Sequence, residues 1–470
     1  LLNLGDVMFI GREKELKKLG ELYNTHKFQM PVVYGRRRVG KTALLNEFAK
    51  DKNVVFFTAI ESSKQQNIEN LSRSIFAFER QGEDGPFPVY QSFQEALEYI
   101  FKLSEEKQLV FIIDEYPYAA KSDKSLSSVI QSLVDRYRDT SKMFMILCGS
   151  SMSFMEEQVL GYESPLYGRR TAQFKILPFD FEESCKIFTN FSKTELAYIY
   201  GIVGGTPQYL LQIDDSISLR ENIVRKILDT SAYLFEEPGN LLKQEVREAA
   251  LYNAVITAIA NGSTKVSEIA GKVGEETSAC TACLKKLISL GIIKRETPFG
   301  EKEGRKSIYT IDDSLFRFWY RFIPSNISAL QNDMSDIVYM KIEKTLNQYM
   351  GQTFEEMCAQ YLWRENRKGK TPVTFTSLGR WWGTDPFTHS QEEIDIVASG
   401  DADMIFAECK WKNELTDKDV LEKLLNRSNP MRCNNKYLYL FSKSGFTDKC
   451  TSLADSLGNV TLVKYDDMFP

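Results

Sequence analysis

The stretch Gly35-Arg-Arg-Arg-Val-Gly-Lys-Thr42 decides the fold, because it is a complete G-x-x-x-x-G-K-T phosphate-binding loop. Apolar residues 29–34 before it predict a short buried strand, and residues 43–49 after it have helical composition and spacing. In that setting, backbone N–H groups and a helix N-terminus attract phosphate. We expect Lys41 to reach the β- and γ-phosphates and Thr42 to ligate Mg²⁺. The loop predicts an ATP site that includes Gly35, Arg38, Val39, Gly40, Lys41, Thr42 and Ala43.

A second half of this site follows an apolar run, Leu109-Val-Phe-Ile-Ile-Asp-Glu115. Such continuous hydrophobicity is typical of a central parallel strand that is covered on both faces. Asp114, at the strand end, is expected to hold the Mg²⁺ shell, and Glu115 to polarise the attacking water. The alternative is a buried strand followed by two solvated acids. The preceding phosphate loop favours the catalytic interpretation.

Composition excludes several classes of protein. The chain has 470 residues, of which 43% are hydrophobic and 12% aromatic, so we expect about three globular domains. No apolar run reaches eighteen residues and no signal peptide is evident, which predicts a soluble, cytoplasmic protein without a membrane partner. Met8 resembles a natural start, with residues 1–7 as an upstream extension. Two histidines are too few for histidine-based catalysis or a multi-histidine metal site.

Charge and cysteine usage give weaker constraints. The net charge of −5 provides no global signature of nucleic-acid binding, so any contact with DNA must come from local patches. The eight cysteines are scattered in apolar surroundings, as expected of free thiols in a reducing compartment. Cys280 and Cys283 form a C-x-x-C pattern on a predicted helix. Two small helix positions explain this pattern better than a zinc site, because no second pair or nearby histidine accompanies it.

The first half of the chain alternates strands with helices. Residues 54–60, 109–114, 143–149 and 173–177 predict strands in addition to the one before Gly35, and residues 87–103 and 127–137 predict helices. This alternation predicts an α/β domain with a parallel sheet over residues 8–180. Residues 181–240 have only helical patterns and predict a small lid.

Residues 241–322 predict a winged helix-turn-helix. Three helices are expected at residues 246–260, 264–273 and 277–290, followed by a hairpin at 292–296 and 307–311 around a charged loop. Lys285 and Lys286 would lie on the third helix, which reads the major groove in such domains. The segment has 13 Lys and Arg against 10 Asp and Glu. Binding of DNA and docking of a protein both stay open.

Residues 330–470 predict another α/β domain with its own set of chemical groups. A long helix at 337–366 is followed by strands at 373–382, 393–399, 404–411 and 436–441, with a helix at 417–427 before the last. Alternation places Asp395 at the end of one strand and both Glu408 and Lys410 on one face of the next. The carboxylates, with Glu355 from the long helix, are expected to hold Mg²⁺ or Mn²⁺. Lys410 is expected to orient water and stabilise developing charge.

This spacing and element order resemble the PD-(D/E)xK nuclease fold. The alternative is a pair of amphipathic strands with exposed acids and a lysine, as occurs on many half-buried sheets. The predicted order of elements and the glutamate on the helix favour the nuclease-like fold. Whether it cuts is a separate question.

Nearly the whole chain resembles the archaeal-type ATPases that join a STAND/AAA+-like P-loop domain to a winged helix and a nuclease-like domain of unknown function. The resemblance rests on several motifs: Phe9-Ile-Gly11-Arg12-Glu13, Gly35–Thr42, Asp114-Glu115, Cys148-Gly-Ser150-Ser, Gly204-Gly-Thr-Pro207-Gln-Tyr, Leu315-Phe-Arg-Phe-Trp-Tyr320 and Gly379-Arg-Trp-Trp-Gly383. It implies that Gly11 and Arg12 border the base, that Ser150 ends the sensor strand, and that Pro207 belongs to the lid.

The same resemblance places Arg169 where an arginine senses or completes the ATP site, with a basic turn as the equal alternative. Arg36, Arg37 and Arg38 are expected to face solvent or a partner more than the phosphate. The sensor strand ends in serines instead of the asparagine usual in AAA+ motors, which favours slow hydrolysis as a switch.

Two functional hypotheses follow. The first is an ATPase switch that controls a metal-dependent DNA endonuclease, with Glu115, Asp395, Glu408 and Lys410 as catalytic residues. The second is a nucleotide-switched regulator of DNA or protein binding whose nuclease-like domain binds without cutting. A plain ATPase scaffold is a third, weaker alternative. A protein partner and a homo-oligomer also stay open.

Overall fold

The computed structural model describes residues 9–80, 85–304, 306–385 and 389–469. The start predicted at Met8 and the extension before it lie outside these residues, as does Arg305 in the charged loop. The described residues form two compact units. The first contains the chain up to Phe179 together with residues 206–208, and the second contains residues 180–205 and everything from Tyr209 onward.

The first unit is built on a parallel five-stranded sheet in the order β2-β3-β4-β1-β5. Its strands are β1 (Pro31–Tyr34), β2 (Val54–Thr58), β3 (Leu109–Asp114), β4 (Met143–Gly149) and β5 (Ala172–Lys175). Its helices are α1 (Glu13–Tyr23), α2 (Lys41–Ala49), α3 (Lys64–Glu79), α4 (Phe93–Glu106), α5 (Tyr116–Ser122), α6 (Leu126–Tyr137) and α7 (Met152–Phe154), which a π-helical turn (Met155–Val159) extends.

The sheet topology follows from the sequence pattern. Every residue of β3 and β4 is buried, as expected of central strands that are covered on both faces. The five predicted strands are confirmed, with boundary differences of at most two residues. The predicted helix at 87–103 begins instead at Phe93, because Pro88 disfavours helical backbone before it and the Ser92 hydroxyl caps the helix by accepting from the Glu95 N–H.

The second unit begins with short helices. These are α8 (Phe181–Cys185), α9 (Lys193–Val203), α10 (Pro207–Leu210), α11 (Leu219–Asn222), a π-helical turn (Ile223–Leu228) and α12 (Tyr233–Glu245), where the first two residues of α10 group with the first unit. Serine and aspartate caps begin several of them, and Asp180, Ser192 and Ser218 form capping boxes with a glutamate three residues later. The helical pattern predicted for residues 181–240 is thus present as a series of short, well-capped helices.

Three helices and a hairpin come next, at α13 (Ala249–Ala260), α14 (Val266–Val273), α15 (Thr277–Ser289), β6 (Ile293–Glu296) and β7 (Ile308–Ile311). The strands pair antiparallel, and apolar residues from all three helices form one core with them. Cys280 and Cys283 are buried as free thiols in this core. On α15, Lys285 is exposed and Lys286 is half-buried.

The last segment is a three-layer α/β arrangement. It contains α16 (Ser314–Phe322), a 3₁₀ turn (Pro324–Asn326), α17 (Ile327–Leu330), α18 (Ser335–Arg367), β8 (Ser377–Thr384), β9 (Gln391–Ser399), β10 (Met404–Lys410), α19 (Lys418–Ser428), β11 (Lys436–Ser442), α20 (Asp448–Leu457), β12 (Val460–Lys464) and a closing 3₁₀ turn (Tyr465–Met468). The sheet order is β12-β11-β10-β9-β8, with β8, β9 and β10 antiparallel and the remaining pairs parallel.

The two faces of this sheet are covered by different helices. Phe354 and Met357 of α18 pack in one core with Ile396 and Ala407, while residues of α19 and α20 pack against the opposite face. Because side chains alternate along a strand, neighbouring residues of β9 and β10 belong to different cores. Among the helices that the structure describes, none is long and apolar enough to cross a membrane.

Candidate functional site

The phosphate-binding loop connects β1 to α2 by a path that requires glycine at two positions. A Cβ on Gly35 would lie 2.3 Å from the carbonyl oxygen of Ile176, so only glycine fits there. Gly40 has a φ of 86° and Arg38 a φ of 72°, both in the left-handed region. The backbone therefore curls before the first turn of α2, as a loop that surrounds a phosphate must.

Lys41 lies inside this loop. Its ammonium donates to the carbonyl oxygens of Gly35 at 3.0 Å and Arg36 at 2.9 Å, and the residue is buried. Burial lowers the pKa of Lys41, while the negative groups of Asp114 and Glu115 nearby act in the opposite direction. A buried cation beside two carboxylates and inside a curled backbone is suited to an anionic ligand.

Thr42 and Asp114 meet directly. The Thr42 hydroxyl donates to Oδ2 of Asp114 at 2.9 Å, and the other carboxylate oxygen accepts from the Glu115 N–H at 3.0 Å. A hydroxyl and a carboxylate at the carboxyl edge of the sheet are hard oxygen donors, which Mg²⁺ prefers. These two residues fit a magnesium ion shared with a phosphate group.

Glu115 and Ser150 form the third part of this site. Because β4 lies between β1 and β3, its carboxyl end places Ser150 beside the Asp114-Glu115 pair. The Ser150 hydroxyl donates to Oε2 of Glu115 at 2.8 Å. Glu115 has a φ of 51°, so its backbone turns sharply out of the strand. The serine thereby fixes the orientation of the carboxylate that is expected to polarise water.

Arg12 has a structural position behind the loop. Its guanidinium donates to the Val39 carbonyl at 3.1 Å and to the Leu177 carbonyl at 2.5 Å, and lies 4.5 Å from the ring centre of Phe179. The residue is buried, and the preceding Gly11 has a φ of 74°. Arg12 thus ties the N-terminal motif to the phosphate loop, and its guanidinium is directed at backbone carbonyls.

The loop arginines differ from the expectation that they face solvent or a partner. Arg36 hydrogen-bonds to the Thr206 hydroxyl, and Arg37 donates to the Tyr118 hydroxyl at 2.8 Å. The Gln208 N–H donates to the Arg38 carbonyl at 3.4 Å. Residues 206–208, which include Pro207, therefore lie beside the phosphate loop. The side chains of Arg36 and Arg37 bind other residues of the first unit, in contrast to the expectation that they face solvent or a partner.

Arg169 is engaged elsewhere in the first unit. Its guanidinium forms a bidentate ion pair with Asp135 of α6, at 3.0 and 2.8 Å, and also donates to two nearby carbonyls. The pKa of Arg169 is raised, mainly by the hydrogen bonds that its guanidinium donates to Asp135. This pairing corresponds to the alternative of a basic turn, and an ATP-sensing role for Arg169 has no support from its contacts.

A second site lies in the C-terminal sheet. Asp395 is on β9, where Oδ2 accepts from the Cys409 N–H of β10 at 2.8 Å. Burial raises the pKa of Asp395, and the charge of Glu408 raises it further. Burial also raises the pKa of Glu355 on α18, with the charge of Asp395 adding to the effect. The structure thus brings Glu355, Asp395 and Glu408 into one electrostatically coupled cluster.

Two cations hold Glu408. Lys410 donates to its Oε1 at 2.6 Å, and Arg427 of α19 donates to it at 3.4 Å while pairing with Glu392 at 2.8 Å. Burial opposes the charged form of Lys410, but Glu408 outweighs it and raises the pKa of Lys410. Sequence reasoning missed Arg427, because a single arginine on a helix carries no pattern.

The metal ligands expected in this cluster are only partly arranged for that role. Within the described residues, no group of three His, Cys, Asp or Glu side chains is placed to hold a metal ion. Glu408 is occupied by its ion pairs, whereas Glu355 and Asp395 face a shared pocket. Two carboxylates fit Mg²⁺ or Mn²⁺ that keeps water and takes further oxygens from a phosphate. Glu355 and Asp395 are therefore the residues that would hold a cation.

This pocket has a volume of about 260 Å³ and three structural contributors. The hairpin supplies Lys294 and Glu296, α18 supplies Glu355, and β8 and β9 supply Arg380, Trp382 and Asp395. Arg380 is paired with Glu393 and lies 5.9 Å from the ring centre of Trp382. In the sequence, Arg380 and Trp382 stand out only as members of the Gly379–Gly383 motif. No pattern in the sequence predicts that the hairpin lines this site.

A partly buried ionic network joins the hairpin to α18. Arg317 of α16 pairs with Glu356 at 3.1 Å and donates to Thr353 at 2.9 Å, and Lys294 lies 3.7 Å from Glu356 and 2.9 Å from Glu296. Burial alone would raise the pKa of Glu356, but Arg317 and Lys294 outweigh it and lower that pKa. Glu356 neighbours Glu355, so this network fixes the helical turn that carries a candidate metal ligand.

Comparison with known proteins identifies the family. Residues 9–213 match an ATPase domain found predominantly in archaea, and residues 319–423 match a family of archaeal and bacterial proteins of unknown function. An uncharacterized protein of Methanocaldococcus jannaschii is 34% identical over 416 residues, which cover 88% of this chain and 89% of that protein. The chain belongs to this family of archaeal P-loop ATPases.

Two further relatives agree with this assignment. An uncharacterized ATP-binding protein of Pyrococcus abyssi is 25% identical over 244 residues, 44% of this chain and 71% of that protein. The solved structure of a Walker-type ATPase from Pyrococcus abyssi has a TM-score of 0.51 at 20% identity, and covers 67% of this chain and 96% of that one. That likeness concerns the fold alone. This family member is an ATP-binding protein with a P-loop ATPase domain.

Proposed function

We propose that this ATPase is a slow, nucleotide-controlled switch that governs a metal-dependent nuclease site at Glu355, Asp395, Glu408 and Lys410. The winged helix and the PD-(D/E)xK-like fold are parts of the same proposal. The observation that carries it is the coupling of Glu355, Asp395 and Glu408 with Lys410 bound to Glu408 at 2.6 Å. Three carboxylates and a lysine are the groups that hydrolysis of a phosphodiester uses.

Each of these side chains has a specific role in the proposed reaction. Glu355 and Asp395 would hold Mg²⁺ or Mn²⁺, which polarises a phosphate oxygen and lowers the pKa of bound water. Glu408 holds the Lys410 ammonium in place. Lys410, a half-buried cation, is positioned to stabilise negative charge on the phosphate. The Cys409 N–H fixes the orientation of Asp395.

The ATP site supports hydrolysis by the arrangement described above. Lys41 and the loop N–H groups bind the phosphates, Thr42 and Asp114 would hold Mg²⁺, and Glu115 orients water. Residues 206–208 group with the phosphate loop, while the chain on both sides of them groups with the second unit. The phosphate loop is therefore close to a backbone segment that leads directly into α9 and toward α11. This continuity supports nucleotide control of the second unit.

The test compares cleavage by the full chain and by matched variants. Plasmid and short DNA substrates are incubated with Mg²⁺ or Mn²⁺, with and without ATP, using wild type, Asp395→Asn and Lys410→Met. Asp401→Asn is the control, because Asp401 is an exposed carboxylate in the turn between β9 and β10. Cleavage that only the first two changes abolish supports the proposal. Absence of any such cleavage overturns it.

A second candidate is a regulator that binds nucleic acid without cutting it. Two observations favour it. Glu408 is bound by Lys410 and Arg427, and no group of three metal-ligating side chains occurs among the described residues. Calorimetric titration with Mn²⁺ distinguishes the two. Binding that Asp395→Asn removes favours the nuclease, and no binding favours the regulator.

A further inference from the structure

The pocket above Glu355 and Asp395 has one wall that no catalytic role explains. This wall consists of the β6 end of the hairpin and the middle of β8, where Lys294, Thr297, Arg380 and Trp382 face the same cavity. Arg380 belongs to the Gly379–Gly383 motif of the sequence. The arrangement places one aromatic ring and two cations beside the two carboxylates.

The hairpin is fixed in this position by contacts of several kinds. The Phe299 N–H donates to the Arg380 carbonyl of β8 at 2.8 Å, and the Phe299 ring belongs to the core that includes Ile394 and Phe406. Lys294 pairs with Glu296 at 2.9 Å and lies 3.7 Å from the partly buried Glu356 of α18. Together with the Phe299 contact, these interactions hold the hairpin as one wall of the pocket.

The size of the cavity restricts what can approach the carboxylates. A volume of about 260 Å³ is just below the usual range for ligand pockets. It suits one nucleotide and is far too small for a segment of double helix. A nucleotide that enters this cavity must therefore be separated from its pairing partner.

The chemistry of the wall is that of single-strand recognition. Proteins that bind single strands combine cations along the backbone with aromatic rings on which bases stack. Arg380 lies 5.9 Å from the ring centre of Trp382 and pairs with Glu393, so it is held beside the ring. Trp382 is half-buried and accessible from the pocket. A base has no need of sequence-specific hydrogen bonds to stack there.

We propose that this pocket takes one nucleotide of a single-stranded nucleic acid, with the base against Trp382 and the backbone at Glu355 and Asp395, an inference that rests on the nuclease site proposed above. Trp382 and Arg380 are then specificity-determining residues. They select single strands or unpaired ends over intact duplex. The winged helix can contact duplex DNA at a different surface. The proposal therefore predicts only the part of the affinity for single strands that depends on Trp382.

The experiment measures binding by fluorescence anisotropy, with Ca²⁺ in place of Mg²⁺. Labelled single-stranded DNA, single-stranded RNA of the same sequence and duplex DNA are titrated with wild type, Trp382→Leu and Trp382→Phe. We expect Trp382→Leu to weaken single-strand binding about tenfold and duplex binding less than about twofold. Trp382→Phe should keep most of the affinity. Single-strand binding by DNA alone, by RNA alone or by both supports the proposal and tells the two sources apart.

Two controls keep the result interpretable. Tyr162→Leu removes an aromatic ring that is 84% exposed in the first unit, and should change nothing. Arg380→Gln is an independent probe, since it should reduce the salt dependence of single-strand binding by about one phosphate contact. Unchanged single-strand affinity in both Trp382→Leu and Arg380→Gln would overturn the inference, as would equal losses for duplex.

The inference and the proposed function fail separately. Duplex cleavage that Asp395→Asn abolishes, with no effect of Trp382→Leu on single strands, would keep the nuclease and overturn the single-strand pocket. Trp382-dependent binding of single strands without cleavage would support the pocket and leave the site as a binding module.

Discussion

The hydroxyl of Thr42 donates a 2.9 Å hydrogen bond to the carboxylate of Asp114, although the two residues are 72 positions apart in the chain. Two separate sequence motifs thus become one group of oxygen atoms at the carboxyl edge of the parallel sheet. Because a magnesium ion would need both residues, their contributions to nucleotide binding must depend on each other.

This interdependence is testable with a double-mutant cycle. Thr42→Ala, Asp114→Asn and the double variant are compared by calorimetry with ATP, in Mg²⁺ and in EDTA. We expect a coupling free energy of about 0.5–3 kcal/mol in Mg²⁺ and little coupling in EDTA. Thr25→Ala, a change at an exposed threonine, is the control. Additive effects in Mg²⁺ would show that the two residues do not share an ion.

The contact between Ser150 and Glu115 predicts a graded loss of hydrolysis. Glu115→Gln should slow ATP hydrolysis by on the order of 10²- to 10⁴-fold without loss of ATP binding, because the water loses its base. Ser150→Ala should slow it about tenfold, since the carboxylate loses the donor that orients it. Phosphate release is the measurement, and Ser153→Ala is the control. Hydrolysis at the wild-type rate in Glu115→Gln would remove Glu115 from the mechanism.

The ion pair between Arg169 and Asp135 distinguishes a structural arginine from an ATP-sensing one. If the arginine only ties the turn to α6, Arg169→Ala and Asp135→Ala should change the free energy of unfolding by less than about 1 kcal/mol, because both side chains are partly exposed. Neither should change the rate of hydrolysis by more than about twofold. A large rate loss in Arg169→Ala alone would restore the ATP-sensing interpretation.

The ion pair between buried Arg317 and partly buried Glu356 predicts a measurable loss of stability. Arg317→Met leaves Glu356 without its closest cation, so we expect a loss of about 1–3 kcal/mol in the free energy of unfolding of the second unit. Arg317→Met with Glu356→Met should recover much of it. Tryptophan fluorescence during urea unfolding is a selective measurement, because all five tryptophans belong to the second unit: Trp319, Trp363, Trp381, Trp382 and Trp411.

The control for that measurement is Arg220→Met. Arg220 pairs with Asp336 at 2.8 Å, but both side chains are more than half exposed. Its removal should therefore cost little. If Arg220→Met and Arg317→Met lowered the free energy of unfolding equally, burial would not explain the stabilisation by the Arg317–Glu356 pair.

The fold was predictable where buried elements have a regular pattern of apolar residues in the sequence. The buried strands β3 and β4 have continuous apolar runs, and the phosphate loop marks the end of β1. In contrast, α20 and β12 were missed, because β12 is a half-exposed edge strand with mixed polarity. Prolines and a capping serine moved the start of α4, which shows that local backbone chemistry overrides helical spacing.

The sites were predictable to the extent that motifs lie at strand ends. Parallel strands bring Thr42, Asp114 and Ser150 to one edge, and neighbouring antiparallel strands bring Asp395 beside Glu408. The partners of Glu408 and Glu356 were not predictable, because Arg427, Arg317 and Lys294 come from different elements and carry no repeated spacing. Tertiary packing alone selects which arginine or lysine meets which carboxylate.

The hydrogen bond from Phe299 to Arg380 also has a consequence for β8 as an outer strand. An outer strand presents unpaired backbone groups on which another chain can add a strand. The Phe299 N–H occupies one of these groups, and its ring covers the strand beside Gly379. A fragment that begins after α16 would lack the hairpin, so the outer edge of β8 would be exposed and available for strand pairing between copies. The Phe299 contacts thus cover part of the edge at which the β8 strand of a second copy could pair.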